Sequence, residues 1–166
     1  MDWVEKSFPE LGPTELHGIL RLRQRVFVVE QQCVYLDADG HDAHARHLWL
    51  PQGSVASPSR ELAGALPSAL ANEPAAYLRI LPPGAAYLEP SLGRVITAPE
   101  VRGRGLGVEL LREGLARAWA RYGLVPIRIG AQAHLEGFYG ALGFRRASED
   151  YVEDGIRHLE MLIPGG

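Results

Sequence analysis

The stretch "APEVRGRGLGVELLREGLARAWARYG", residues 98–123, sets Gly103, Gly105 and Gly107 at alternate positions directly ahead of a helical repeat. Val108, Leu111, Leu115, Ala118, Trp119 and Tyr122 recur at the spacing of one helix face, with Glu109, Arg112, Glu113 and Arg117 mostly on the other. Glycine lets the chain turn tightly and bring its N–H groups close to a ligand, and a helix start adds unpaired N–H groups at the positive end of its dipole. The stretch therefore predicts an anion cradle fitted to a phosphate or pyrophosphate, with Arg102 and Arg104 at its rim. A P-loop is excluded, because "GRGLGVEL" has no lysine or hydroxyl at the required place. A dinucleotide fold matches poorly: the spacing is G-x-G-x-G, the preceding strands read as antiparallel, and "VPIRI" supplies no acid.

Upstream of the loop, "AAYLRIL" and "LGRVIT" are short β-type runs separated by Pro82, Pro83 and Gly84, which predicts neighbouring antiparallel strands. Downstream, "VPIRIGAQ" reads as a strand, "HLEGFYGAL" as a short helix stopped by Gly143, and "FRRASEDYV" with "IRHLEMLI" as a strand pair around "EDG". Nearer the start, Pro13 and Thr14 open a helix over 14–28 in which Leu16, Ile19, Leu20 and Val26 share a face. "RHLWLP" is a strand. Residues 51–74, rich in Ala, Ser and Pro, read as a mobile insertion within a hairpin. This order makes a mixed α/β (α+β) layer in a single domain over 1–166.

Composition narrows the function. With 46% hydrophobic and 22% charged residues the chain is of ordinary globular make-up, and no apolar run approaches a membrane span. The first residues, "MDWVEKSF", carry neither a basic segment nor an apolar core, so a cytoplasmic protein is expected. A formal charge of -3 argues against nucleic acid and anionic membranes as partners. Cys33 is the lone cysteine and is expected to be a buried, inert thiol. His41, His44 and His47, with Asp37, Asp39 and Asp42, suit neither one helix face nor one strand face, and "DADGHD" does not complete a calcium loop. No metal is expected there, but an ordered loop that fixes its own backbone or lines an acceptor entrance.

Residues 102–107, "RGRGLG", resemble the R/Q-x-x-G-x-G/A loop of the GNAT superfamily of N-acetyltransferases, which follows the fourth strand and binds the coenzyme A pyrophosphate. "AHLEGFYGALGF" resembles the family's fourth helix, with its F-Y-x-x-x-G-F signature at Phe138, Tyr139, Gly143 and Phe144. "RVFVVEQQC", "DGHDAHARHL", "GRVIT", "GAQAHL" and "YVEDGIRHLEM" further resemble the ElaA-like branch. The resemblance implies the acyl-CoA N-acyltransferase fold, a mixed central sheet of about six to seven strands flanked by helices. It implies acetyl or acyl transfer from coenzyme A, by direct attack, to a small-molecule or protein amine; a non-catalytic coenzyme A-binding module of the same fold is the alternative. A homodimer fits either.

By the same resemblance, Val95, Ile96 and Thr97 meet the pantetheine arm, and Arg102, Gly103, Arg104, Gly105, Leu106 and Gly107 meet the phosphates. Gln132 stands where an asparagine often contacts the arm. Tyr139 matches the tyrosine that lies near the sulfur and protonates it. Glu30, at the end of the first helix, is the candidate base, with His158 and Glu160, sharing a face of the last strand, as alternatives bordering the acceptor. Arg79 and Arg94, on adjacent strands, are expected to clamp a carboxylate or phosphate of the acceptor.

Overall fold

Every residue of one strand, Pro74–Leu81, is buried, so both of its faces are covered. It is β3 in a sheet that also holds β1 (Val4–Ser7), β2 (Arg46–Pro51), β4 (Ser91–Thr97), β5 (Ile127–Gln132), β6 (Arg145–Arg146), β7 (Tyr151–Glu153) and β8 (Ile156–Ile163). The order is β1-β2-β3-β4-β5-β8-β6, with β7 also on β8. All pairs are antiparallel except β4 with β5. The computed structural model describes residues 1–55 and 72–165, so most of the insertion read at 51–74 lies outside the described residues. Its flanks do pair as a hairpin, Pro51 opposite Pro74.

Alternation along β3 assigns its faces. Leu78 points at α2 (Leu106–Tyr122), where Gly114 lets the helix come so close that an added Cβ would lie 2.7 Å from Leu78 Cδ2. Tyr77 and Arg79 point the other way, toward Arg23 of α1 (Pro13–Arg23) and the loop that follows it. The core joins Leu110, Leu111 and Leu115 of α2 to Ile19, Leu22 and Val26 from the first helical segment.

Three expectations are corrected. The helix read over 14–28 is α-helical only to Arg23 and continues as a π-helix, Gln24–Glu30, in which Gln31 N–H reaches back five residues to Val26 O. Its buried face is Gly18, Ile19, Leu22, Arg23 and Val26, while Leu16 and Leu20 are half-buried. The run "FRRASEDYV" is two short strands, β6 and β7, docked successively along β8. With β1, whose four half-buried residues carry no alternation, this raises the sheet to eight strands among the described residues. The turn between β7 and β8 uses Asp154 and Gly155 at φ +50 and +79, the left-handed pair that suits a two-residue hairpin. Among the described residues no helix is long and apolar enough to cross a membrane.

Candidate active site

Strands β4 and β5 run parallel yet pair at one position only, Ser91 opposite Arg128. Beyond it they part, and a cleft of about 590 Å³ opens between Ile96 and Thr97 of β4 and Ile129 and Gln132 of β5. A bulge bends β4 at this point: Arg94 and Val95 together oppose Leu78, and Arg94 takes φ +54. Arg94, Val95, Glu30, Arg102 and His158 also line the cleft, as does Tyr139 of α3 (Glu136–Gly140).

At one end of the cleft lies the glycine loop. Gly103 and Gly105 adopt φ +79 and +76, and nothing stands within 4 Å of a Cβ added at either, so conformation rather than space demands glycine. Gly105 caps α2, its carbonyl accepting from Val108 and Glu109 N–H (3.0 and 3.2 Å); the N–H groups ahead of Val108 precede the helical ladder. Gly107 does something else, admitting Phe138 Cζ to 3.6 Å of where its Cβ would be. Leu106 is buried in the core, and Arg104 is exposed.

Tyr139 is 6% exposed, and its ring packs edge-on against Phe138 and Phe144. Its hydroxyl has no hydrogen-bond partner among the described residues, and burial alone pushes its pKa up to about 12. On β8, His158 Nδ1 lies 2.9 Å from Ile156 O. A carbonyl only accepts, so Nδ1 carries the proton and Nε2 is left as the basic nitrogen. The Tyr151 ring stacks on this imidazole at 5.9 Å.

Other expected residues are differently employed. Glu30 is held by Arg102 in a two-pronged pair (2.8 and 3.1 Å), and Gln132 Nε2 donates to Gln31 Oε1 at 3.0 Å. Both contacts tie the end of the π-helix across the cleft. Arg79 does not line the cleft: it is 4% exposed and spent on Asp39 (2.6 and 2.8 Å) and Asp42 (2.8 Å). Arg94 lies in the wall, but Asp37 Oδ1 (2.7 Å), Asp37 O (3.1 Å) and Asp39 Oδ2 (3.2 Å) occupy its guanidinium. Glu160 is outside the cleft and accepts from Arg128 at 2.7 Å.

The loop read from "DADGHD" thus binds arginines from three elements rather than its own backbone alone. Arg23 Nε donates to Asp37 Oδ2 (2.8 Å), Nη1 to Asp42 Oδ1 (2.9 Å) and Nη2 to Asp37 O (2.7 Å). Burial would raise the Asp39 pKa, but the hydrogen bonds and charge of Arg79, then the charge of Arg94, hold it down to about 2. Among the described residues no group of three or more His, Cys, Asp or Glu is placed to hold a metal ion. Cys33 is buried at the cleft wall, its thiol 3.2 Å from Asp154 O. Sequence reasoning did not assign Arg23, Phe27 or Tyr35 to this site, and it read the turn at "EDG" without placing Glu153 and Asp154 on the cleft.

Residues 68–163 match the family model of the acetyltransferase (GNAT) domain. Protein ElaA of Escherichia coli is 34% identical over 97% of this chain and 95% of its own length, and its crystal structure superimposes with a TM-score of 0.78, covering 98% of both chains. An acyl-CoA N-acyltransferase from Pseudomonas aeruginosa superimposes at 0.82, with 33% identity over 98% of this chain and 99% of that one. A UPF0039 protein of Synechocystis is 34% identical over 98% of this chain and 95% of its own length. These likenesses support acyl transfer in general and a fold that generally binds acetyl-CoA or CoA.

Proposed function

The chain belongs to the GNAT acetyltransferase family, on its ElaA-like side, and from that premise we propose that it transfers an acetyl group from acetyl-CoA to an amine in the cleft between β4 and β5. The observation that carries the reading is Tyr139, a buried side chain whose hydroxyl has no partner among the described residues, on a cleft that leads to a left-handed glycine loop. The residues fit the donor. Gly103 to Gly107 offer backbone N–H groups and a helix start to the pyrophosphate, with Arg102 and Arg104 adding charge. The parted edge of β4 at Val95, Ile96 and Thr97 takes the extended arm. Gln132 reaches the arm by leaving Gln31.

In this reading the amine nitrogen bonds to the thioester carbon and the C–S bond breaks. An ammonium gives up two protons on becoming an amide. His158 Nε2, whose tautomer leaves its lone pair free, takes one; the departing sulfur receives the other at the Tyr139 hydroxyl. Because burial keeps that hydroxyl protonated, its first contribution is a hydrogen bond to the developing thiolate, a charge-assisted contact that strengthens as the bond breaks. Glu30 is the less available group in this geometry, since Arg102 occupies both of its carboxylate oxygens. Arg94 and Arg79 serve the wall rather than the acceptor.

The test is a calorimetric titration with acetyl-CoA, with NAD and ATP as controls, on the protein and on Gly105→Val, followed by free-thiol release with an amine panel for Tyr139→Phe. Selective binding that Gly105→Val abolishes, and turnover that falls by about 100-fold or more in Tyr139→Phe while donor affinity holds, is expected. No binding of acetyl-CoA by folded protein would end the proposal. Binding without thiol release from any amine would leave the non-catalytic module in its place.

A further inference from the structure

The acceptor's charge can be read from which cleft groups are already spent. Four carboxylates line the cleft, Glu30, Asp39, Glu153 and Asp154, against two guanidinium groups, Arg94 and Arg102. Both arginines are committed: Arg94 to Asp37 and Asp39, Arg102 to Glu30. An acceptor carboxylate would compete with carboxylates already in place on both. Glu153 and Asp154, by contrast, form no ion pair or hydrogen bond through their carboxylates among the described residues. The tight β7–β8 turn holds them at the cleft, and the Cys33 thiol anchors that turn through Asp154 O at 3.2 Å. The surrounding field is negative: burial first, and then the carboxylates of Glu153 and Glu160, push the Tyr151 hydroxyl up, and Tyr151 lies on His158.

An acidic rim alone would define no site. The same cleft, however, is lined by Tyr139, nine-tenths buried with no hydrogen-bond partner for its hydroxyl among the described residues, and by His158, whose Nε2 likewise has none among them, so the carboxylates share the cleft with groups that await a ligand. We propose that the acceptor is a small amine bearing a second positive charge, a diamine, whose distal ammonium is held by Glu153 and Asp154 while the reacting nitrogen lies at His158. This rests on the transfer reading above and adds the substrate class to it. It also replaces the expected arginine clamp: the cleft recognises a cation, not an anion.

Acetyl transfer, followed as free-thiol release, is compared for putrescine, butylamine and γ-aminobutyrate, matched in chain length and differing in the far group. The protein and the Glu153→Gln/Asp154→Asn variant are both assayed; asparagine keeps the left-handed turn accessible. For the unaltered protein, kcat/KM for putrescine should exceed that for butylamine by about 5- to 10-fold, the scale of two ion pairs at exposed carboxylates, with γ-aminobutyrate lowest. The putrescine preference should shrink with added salt and collapse toward one in the variant. Equal or better use of γ-aminobutyrate, or a preference untouched by the double substitution, overturns the inference and leaves acyl transfer standing. If no amine releases thiol, the transfer reading fails, and calorimetric binding of putrescine to CoA-saturated protein decides the cation site: binding weakened about 5- to 10-fold in the variant supports it, and no binding by the unaltered protein overturns it.

Discussion

Arg23 is 0% exposed, and its charge is tolerated only because Asp37 and Asp42 meet every edge of its guanidinium while Tyr77 lies 5.9 Å beneath. Replacing it with methionine removes one arginine from each of two buried carboxylates, leaving Asp37 only Arg94 and Asp42 only Arg79, so Arg23→Met should cost about 1.5–3 kcal/mol in denaturant unfolding. A loss below about 1 kcal/mol would show that the aspartates find water. His47 sits beside this cluster, with Nε2 3.0 Å from Asp42 O and Nδ1 2.8 Å from the Tyr77 hydroxyl. Burial first, and the charges of Arg23 and Arg79 after it, lower its pKa below 6.5 against the pull of Asp42. Between the folded value and 6.5 the unfolded chain binds more protons, so stability rises with pH through that window and is lost as pH falls below about 6.5. Asp39 has its own window lower down: its folded pKa near 2 lies under 3.8, so its contribution is present above 3.8 and lost as pH falls toward 2. His47→Gln should remove the upper slope and leave the lower one, as read by urea midpoints across pH. None of this was legible in the sequence, because a charge on an apolar helix face breaks the pattern that identifies a core and gives no hint of its distant partners.

At the scale of elements, the π-helical segment is what brings the cleft's two sides together. Its ends are stapled to the donor loop by pairs of opposite polarity, Arg25 on Glu100 (2.9 and 2.8 Å) and Arg102 on Glu30 (2.8 and 3.1 Å). Arg102 cannot serve Glu30 and a phosphate equally, so in the proposed donor site the two would compete. Both side chains of the pair are 42% exposed, which limits its worth to about 0.2–1 kcal/mol. Glu30→Gln should therefore tighten acetyl-CoA binding in calorimetry, by no more than about 5-fold. Weakened binding would instead make Glu30 a direct donor ligand. The helix following the glycines was readable because its apolar period from Val108 to Tyr122 is local. The π-turn was not: the extra residue per turn is set by what the helix packs against, and the periodicity of "RVFVVEQ" serves either winding. Strand β1 was invisible for a related reason, as its half-buried edge residues owe their conformation to β2.

For the whole molecule, the loop signatures forecast a phosphate cradle and a tyrosine, but the space between them exists only because β4 and β5 touch once and then part. That divergence has no sequence signal; it follows from a bulge in one strand and from a parallel neighbour that arrives after α2. The consequence is thermodynamic as well as chemical. A donor lying along β4, across the start of α2 and against Tyr139 would bridge strands that the fold leaves unpaired, and it has no such surface in the unfolded chain. Binding the native state alone adds about 2.7 kcal/mol at a donor concentration of 100 times Kd. For a chain of 166 residues this amounts to a rise in Tm of about 5–10 °C. Differential scanning calorimetry with acetyl-CoA should show that rise in the unaltered protein and none in Gly105→Val, whose β-branched side chain strains a backbone at φ +76. A full calorimetric binding signal with an unmoved Tm would mean that donor affinity does not depend on the native cleft, and the placement of the donor between β4 and β5 would be wrong.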